Sequence, residues 1–403
     1  MAVHPVVSIP TEEISIRSDE FLGRVRLVMA ALGIVALVAG AVLGAGDPRE
    51  FFASYLTAFL FYISIGLGGL FFVLIQFATR AGWSVAIRRQ SENLMFMLPL
   101  CGLFFLPLVA GMSYVYPWLD AAKVAQDPIL LGKQSYLNVP FFLARSLVYV
   151  LSWAAIAYWF RRRSLRQDEQ GDPRITRTLQ NVSAPAIVWF AATVNFAAFD
   201  WIMSLDPHWY STVFGVYFFA GIVTSSLSFL ILMLFVLLQR NRLSGVINEE
   251  HFHDLGKLLF GFVVFWAYIA FSQFMLIWYG NLPEETIWFA QRWRNGWQYV
   301  SILLAVGHFV IPFFVLLSRG AKRNRVILGG VAVWMLLMHY LDLYWLVAPA
   351  VDPAGPQFYL PGLLVFLGLG GLFLGMLIHV SMGSALVPTK DPRLAESLSF
   401  ENI

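Results

Sequence analysis

Runs of about twenty apolar residues, separated by short polar segments, recur along the whole chain. An apolar helix of about that length crosses the hydrocarbon core of a bilayer, whereas a membrane β-barrel would show short alternating segments instead. The pattern therefore predicts an all-α polytopic membrane protein. Its ten predicted spans are 25–44, 53–78, 93–113, 139–160, 182–204, 211–238, 257–280, 297–318, 326–348 and 360–382.

The segments between the spans are short and polar. The longest, YPWLDAAKVAQDPILLGKQSYLN, follows the third span, while RAGWSVAIRRQSEN follows the second and LPEETIWFAQRWRN the seventh. Outside the membrane domain 25–382 we expect only an N-terminal segment 1–24 and a C-terminal tail 383–403. Because a mixed-charge leader precedes the first span, that span is predicted to be a retained anchor rather than a signal peptide.

Lysine and arginine residues are distributed unevenly over these segments. Of the 27, 21 lie in, or at the span ends next to, the N-terminal segment, the even-numbered loops and the tail, five lie in the odd-numbered loops, and Arg145 lies deeper inside a span. Since cytoplasmic loops carry the excess of Lys and Arg, both termini are predicted to be cytoplasmic and the SLDPHWY loop to lie outside. The predicted location is a bacterial inner membrane.

Composition agrees with a membrane class and limits the cofactors that the chain can hold. Hydrophobic residues make up 59% of the chain and charged residues 13%, which is about half the charged fraction of a soluble domain. Cys101 is the single cysteine, so a disulfide framework, a covalent haem motif and a cysteine-ligated cluster are excluded. The expected partners are lipids and other membrane subunits, with no nucleic acid.

The stretch FDWIMSLDPHWYSTVFGVYFF places ionisable groups in an apolar setting. At about 1.5 Å per residue, Asp200 lies roughly 6 Å inside the outer face and Arg145 roughly 9 Å inside it. An ionisable group in hydrocarbon costs about 3 kcal/mol or more, so an Arg145–Asp200 pair is expected. It is either a structural ion pair or a proton-accepting carboxylate. Asp206 and His208 fall in the outer turn, and Asp200 and His208 are the candidate catalytic residues.

More ionisable residues fall near mid-membrane. His308 lies in the eighth span and His339 in the ninth, and Asp342 follows His339 by three residues on the same helix face. Two histidines on neighbouring helices could ligate a haem b, form steps of a proton relay, or be packed as core residues. Hydroxyl-rich sixth and seventh spans either bond to their own helices or line a hydrated path. The predicted proton path consists of Arg145, Tyr217, Gln273, His308, His339 and Asp342.

Tryptophans are frequent near the predicted outer face. An interfacial belt explains such a cluster, and the alternatives are a pocket for a flat ring, such as a quinone head group, or a docking face for an outer partner. The clustered residues are Trp201, Trp209, Trp278, Trp288, Trp293 and Trp297.

FDWIMSLDPHWYSTVFGVYFFAG, at the junction of the fifth and sixth spans, resembles the same junction in the membrane subunits of alternative complex III. Those subunits belong to the broader NrfD/PsrC-like family of quinone-reactive membrane proteins. AGWSVAIRRQSENL, the ten-span count and the tail VPTKDPRLAESLSFENI look most like the ActF type of subunit rather than the ActC type. The resemblance covers nearly the whole chain.

The resemblance implies two four-helix bundles, 53–204 and 211–348, related by a pseudo-twofold axis, with the first and last spans peripheral. It implies no covalently bound cofactor: menaquinol or ubiquinol would pass electrons to iron–sulfur clusters and haems on partner subunits. Those partners are an ActC-like homologous subunit, an outer iron–sulfur subunit and cytochrome c subunits. The positions that match the family's quinol site, at the outer end of the first bundle, are Asp200, His208, Trp209 and Thr212.

The expected function is thus an integral membrane subunit of a respiratory or photosynthetic quinol:cytochrome c oxidoreductase. It would contribute a proton path and a quinol site, without being catalytic alone. Two alternatives from other classes are an independent secondary transporter and a haem-b membrane anchor that uses His308 and His339. Helices interrupted at corresponding positions of two halves would indicate the transporter.

Overall fold

The computed structural model describes residues 10, 12–352 and 354–402. This described part is helical and contains no strand. Nine of its helices are long and apolar enough to cross a membrane, and ten spans result if the bent pair Val85–Phe104 and Leu106–Val115 counts as one. The architecture therefore fits the predicted polytopic helical class. Within the predicted N-terminal segment, positions 1–9 and 11 lie outside the described residues.

The helices follow the predicted spans in order, although several are longer. Helix α8 ends later than the predicted span 139–160, and helix α9 begins earlier than the predicted span 182–204. In both cases the helical backbone continues through polar residues that an apolar run does not include. A 3-10 turn lies at Pro117–Leu119, another at Met203–Leu205, and a π-helical turn at Ala305–Val310. In chain order the α-helices are α1 (Glu20–Gly44), α2 (Pro48–Ala78), α3 (Val85–Met95), α4 (Leu98–Phe104), α5 (Leu106–Val115), α6 (Ala121–Gln126), α7 (Pro128–Lys133), α8 (Val139–Gln170), α9 (Pro173–Trp201), α10 (Phe214–Gln239), α11 (Glu249–Gly280), α12 (Pro283–Gln291), α13 (Trp297–Leu304), α14 (Ile311–Leu317), α15 (Arg319–Arg323), α16 (Arg325–Val351), α17 (Leu360–Met382) and α18 (Leu394–Leu398).

Helix α2 lies at the centre of the molecule and is buried along nearly its whole length. It packs against α3, α5, α9, α10, α16 and α17, and α10 in turn packs against α9, α11 and α16. We call the ends of the helices near residues 202–213 the junction face. The opposite ends, where residues 383–402 lie, are the tail face.

Helix α1 packs lengthwise against α17 through small residues. A Cβ atom on Gly33 would lie 2.7 Å from the carbonyl oxygen of Gly368, which is closer than real contacts allow. Small residues that let two backbones approach are typical of helix pairs in membranes. The other sides of α1 are mostly exposed, which an apolar helix tolerates when lipid surrounds it.

Two of the predicted spans are interrupted. The third consists of α3, α4 and α5, with a bend of 55° before α5, and α4 and α5 each begin with a proline in the first turn, where the missing N–H costs nothing. The eighth contains the π-helical turn just before Pro312. A proline cannot donate a backbone hydrogen bond to the carbonyl four residues earlier, and its ring clashes with that carbonyl. The π-helical turn accommodates this missing hydrogen bond. The Nε1–H of Trp334 donates to the carbonyl of Gly307, 2.7 Å away.

The segment RAGWSVAIRRQSEN was predicted as a polar loop, and that prediction is wrong for most of it. Helix α3 is buried over its whole length despite its charges. Its charged side chains pair with acids: Arg88 lies 3.3 Å from Glu92, while Arg89 lies 2.9 Å from Glu92 and 2.8 Å from Asp168. Burying charge is tolerated where it is paired and hydrogen-bonded, and apolarity alone does not reveal such pairing.

The C-terminal tail covers α3 at the tail face. Asp391 pairs with Arg88 at 2.6 Å, and the side-chain amide of Gln90 donates to the carbonyl of Leu386 at 2.5 Å. Ser397 accepts from the backbone N–H of Ala86 at 3.0 Å. The tail is therefore a packed part of the structure rather than a free extension.

Candidate functional site

The predicted Arg145–Asp200 ion pair is present near the junction face. The guanidinium Nε lies 2.8 Å from Oδ2 of Asp200 and Nη2 lies 2.9 Å from Oδ1, so the pair is bidentate. The hydroxyl of Tyr149 also donates to Oδ2, at 2.8 Å. The guanidinium stacks over the ring of Tyr136, 3.8 Å from its centroid. Asp200 is fully buried, and its charge is thus compensated by one arginine and one tyrosine.

This pair forms because α8 and α9 are adjacent and antiparallel. The next residue along α8 after Arg145 is Ser146, whose hydroxyl accepts from Nε1–H of Trp201 at 3.0 Å. Trp153 Nε1–H donates to the hydroxyl of Thr193 at 2.8 Å and ties the two helices together at greater depth. The pair therefore fixes the register of two helices. A proton that binds to Asp200 would compete with the guanidinium of Arg145 for the carboxylate oxygens.

His208 does not contact Asp200. It is exposed, and its Nε2 lies 2.5 Å from Oδ2 of Asp127, at the start of α7. Lys133 Nζ donates to the carbonyl of Pro207 at 2.5 Å and Trp118 Nε1–H donates to the hydroxyl of Ser204 at 3.3 Å, so the long loop of residues 116–138 is tied to the junction at several points. Partial burial opposes the effect, but hydrogen bonds from His208 and from backbone amides hold the pKa of Asp127 below its ordinary value.

The four tentative quinone residues do not border a common cavity among the two described below. Asp200 faces α8 and His208 faces the loop. Trp209 is buried and stacks on Trp288 of α12, with ring centroids 4.4 Å apart and an interplanar angle of 12°. Thr212 is exposed at the junction face.

A second buried cluster lies among α10, α11 and α16. The hydroxyl of Tyr217 donates a short hydrogen bond to Oδ1 of Asp342, and Nε1–H of Trp266 donates to Oδ2 at 3.2 Å. The indole of Trp266 then stacks on His308, with ring centroids 3.8 Å apart. A carboxylate, a phenol, an indole and an imidazole therefore form one contiguous chain inside the membrane-spanning helices.

His339 joins this cluster from the same side of α16 as Asp342, as the spacing predicted. A Cβ atom on Gly221 would lie 3.0 Å from Cε1 of His339 and 4.0 Å from Oδ2 of Asp342, so both face α10 at its glycine. The ring nitrogens of His308 and His339 are buried and have no hydrogen-bond partner among the described residues. Buried polar atoms without partners need an explanation such as water or a functional role.

The remaining predicted path residues are placed differently. Gln273 accepts at 2.9 Å from the hydroxyl of Ser211 in the junction. Arg145 contacts Asp200 and no member of the second cluster. In α10, Thr224, Ser225 and Ser228 bond to carbonyls of their own helix. Of the two predicted alternatives, bonding within the helix is confirmed for these three hydroxyls.

A cavity of about 790 Å³ lies between α11, α12, α13 and α16, beside the second cluster. Its polar groups come from Tyr217, Gln273, Thr286, Arg292 and Ser301, and aromatic rings supply most of the rest. Phe271, Trp278 and Trp293 border it and are also exposed on the outside of the molecule, so the cavity opens sideways. A smaller apolar cavity of about 380 Å³ lies between α2, α9 and α10.

The tryptophan cluster does not divide cleanly among the predicted roles of interfacial belt, ring pocket and docking face. Trp201, Trp209, Trp288 and Trp297 are buried, whereas Trp278 and Trp293 are exposed beside the larger cavity. Only the last two are placed as a belt would place them, and they also border a pocket.

Several residues that build the site were not singled out from the sequence. Tyr149 lies on α8 and its partner Asp200 on α9, and nothing in the sequence around Tyr149 marks it as a site residue. Trp266 lies seven residues before Gln273 and so on the same helix face. Arg292, just after α12, follows Trp288 by four residues, and its guanidinium lies over the Trp288 ring, 3.4 Å from the centroid.

No family model matches this chain, and no curated protein is similar to it at a significant level.

Proposed function

We propose that this protein is an integral membrane subunit of a quinol:electron-acceptor oxidoreductase, of the ActF type found in alternative complex III. The observation that carries the proposal is the buried chain of Tyr217, Asp342, Trp266 and His308. Ionisable groups inside membrane-spanning helices are costly and mark ion or proton paths. The likeness of the junction sequence to that family points to quinol as the source of protons and electrons.

Two finer parts of the proposal concern architecture. We propose two four-helix bundles, the first from α2, α3–α5, α8 and α9 and the second from α10, α11, α13–α14 and α16. In the first set, α2 packs against α3, α5 and α9, and α8 packs against α4 and α9. In the second set, α10 packs against α11 and α16, while α14 packs against α11 and α13 against α16. The Lys and Arg distribution supports the tail face in the cytoplasm and the junction face outside, and the resemblance of the junction sequence suggests a bacterial inner membrane.

The residues suggest how protons would move. Oxidation of one quinol releases two electrons and two protons; the electrons would leave through iron–sulfur clusters and haems on partner subunits. In the second cluster, Asp342 would take up a proton from Tyr217 or return one to it, since they share a hydrogen bond. His308, with unpartnered ring nitrogens beside Trp266, would hold the next proton. The Arg145–Asp200 ion pair would set the local electrostatic potential near the outer face.

The competing classes gain less support. The interrupted spans are the third and the eighth, which hold different places in the two proposed bundles, whereas a transporter would be expected to interrupt corresponding helices. Neither His308 nor His339 borders one of the two cavities described above, so no observation favours a haem between them. A Soret band in the purified chain would revive that alternative.

The test is purification from native membranes followed by a quinol assay. We expect the chain to run with haem- and cluster-bearing subunits and the preparation to reduce cytochrome c or another acceptor with quinol. A preparation in which the chain runs alone, and transports a solute when reconstituted, would contradict the proposal.

A further inference from the structure

Arg292 is a cation buried at the wall of the larger cavity, just after α12. Its Nε–H and Nη2–H groups donate to the carbonyls of Trp345 at 3.1 Å and Leu346 at 3.0 Å, and Nη1 donates to the carbonyl of Trp288 at 3.1 Å. A guanidinium carries five N–H donors. The three carbonyls hold the side chain in place and leave two donors for another partner.

The positive charge of Arg292 has no acidic partner at contact distance in the described part of the chain. Asp206 acts on it from farther away, together with Tyr217. Burial lowers the pKa of Arg292 to about 9, and both of those groups oppose the shift. The guanidinium is therefore charged at neutral pH. A buried charge without a counter-ion is unfavourable, and an incoming anion would relieve it.

The wall beside Arg292 suits an apolar chain or body. Phe271 and Trp278 lie seven residues apart on one face of α11, which corresponds to about 10 Å along the helix. Both are exposed outward and border the cavity, as does Trp293. A lipid molecule in the bilayer would reach the cavity from the side without crossing the protein.

We propose that this cavity binds an amphiphile from the bilayer, with an anionic head group on Arg292 and its apolar part along the aromatic wall of α11. The volume of about 790 Å³ falls in the range of ordinary ligand sites. A phosphate and a carboxylate share the chemistry that a guanidinium recognises with two N–H groups. The inference does not depend on the proposed role in quinol oxidation.

The experiment is native mass spectrometry of the full-length protein purified from membranes. Dioleoylphosphatidylglycerol is compared with dioleoylphosphatidylcholine, and oleate with oleyl alcohol. We expect one tightly held anionic molecule and a preference of about tenfold or more over the matched neutral or zwitterionic one, the scale of a charge-assisted hydrogen bond. The two pairs show whether a phosphate or a carboxylate is preferred.

Arg292→Gln should abolish that preference, whereas Arg294→Gln, in the same loop but exposed, should leave it unchanged. Because Arg292 also holds three carbonyls, its variant could fail to fold. Ala270→Phe therefore serves as a second variant: it fills the cavity, leaves Arg292 in place and should weaken binding of the anionic amphiphile. Equal binding of charged and neutral amphiphiles by the wild type would overturn the proposal, as would undiminished binding of the anionic amphiphile in Ala270→Phe or an unchanged preference in folded Arg292→Gln.

Discussion

Tyr217 on α10 and Asp342 on α16 share a hydrogen bond in the interior of the membrane-spanning helices. The second oxygen of the carboxylate accepts from Trp266, so both oxygens of Asp342 act as acceptors. An asparagine at this position could not satisfy both donors, because its NH₂ group would face one of them. Substitution of Asp342 can therefore distinguish a role in a proton path from a role in packing alone.

On the proposed function, Asp342→Asn removes a proton-exchanging group, and it leaves one donor without an acceptor. We expect the complex to assemble with a loss of about 1–3 kcal/mol in stability. Quinol turnover should fall by about a hundredfold, the scale of a general acid–base group, or turnover should continue with fewer protons translocated per quinol. Glu284→Gln, an exposed change at the junction face, is the matched control. Wild-type turnover and proton stoichiometry in Asp342→Asn would remove this residue from any path.

His308→Phe should keep the stack on Trp266 while removing both ring nitrogens. Because no hydrogen bond is lost, we expect stability to change by less than about 1.5 kcal/mol, as for other shape-conserving changes. Turnover should nevertheless drop if the imidazole carries a proton. His379→Phe, exposed on α17, is the control. Equal rates for both variants would assign His308 to packing alone.

Asp200→Asn and Arg145→Met should form a strongly coupled pair. Either single change leaves a charged or polar partner uncompensated in a buried site and should cost about 3–5 kcal/mol. The double variant should recover part of that loss in thermal unfolding, as expected for contacting residues. If quinol turnover recovers along with stability, the pair is structural. Turnover that stays low in a stable double variant would assign proton chemistry to Asp200.

Acid should weaken the contact between Asp127 and His208 that helps to hold the long loop at the junction. The folded-state pKa of Asp127 lies below its ordinary value, so its contribution is present above the unfolded pKa of about 4 and is lost as the pH falls through the folded pKa. The hydrogen-exchange protection factors of residues 116–138, which correct for the intrinsic pH dependence of exchange, should therefore fall at pH values below about 4. Asp127→Asn should show fast exchange already at neutral pH. A loop equally protected in the variant would show that other contacts hold it.

Gly33→Ala should loosen α1 from α17. The added methyl carbon would meet the carbonyl of Gly368 at 2.7 Å, and overpacking of this kind costs about 1–3 kcal/mol. Gly261→Ala, on α11 with open space around it, is the control and should be neutral or slightly stabilising. Crosslinking between cysteines placed on α1 and α17 would report the separation; an unchanged crosslinking yield in Gly33→Ala would contradict the expected clash.

The apolar runs by themselves determined the helical class, the number of spans within the limits of one bent pair, and their order. Those features follow from hydrophobicity and length, which are local properties. The same reasoning placed Arg145 beside Asp200, because neighbouring antiparallel spans bring residues of similar depth together. It also put His339 and Asp342 on one face, because three residues separate them.

Only the tertiary structure decided which buried groups meet across distant helices. Helix α3 looks like a loop in sequence because its partners, Asp168 and Asp391, lie far along the chain. Asp342 reaches Tyr217 and Trp266 on two other helices, and His208 turns to Asp127 rather than to Asp200. A buried charge is stable only beside its partner, and that partner is fixed by packing among helices rather than by the neighbouring sequence.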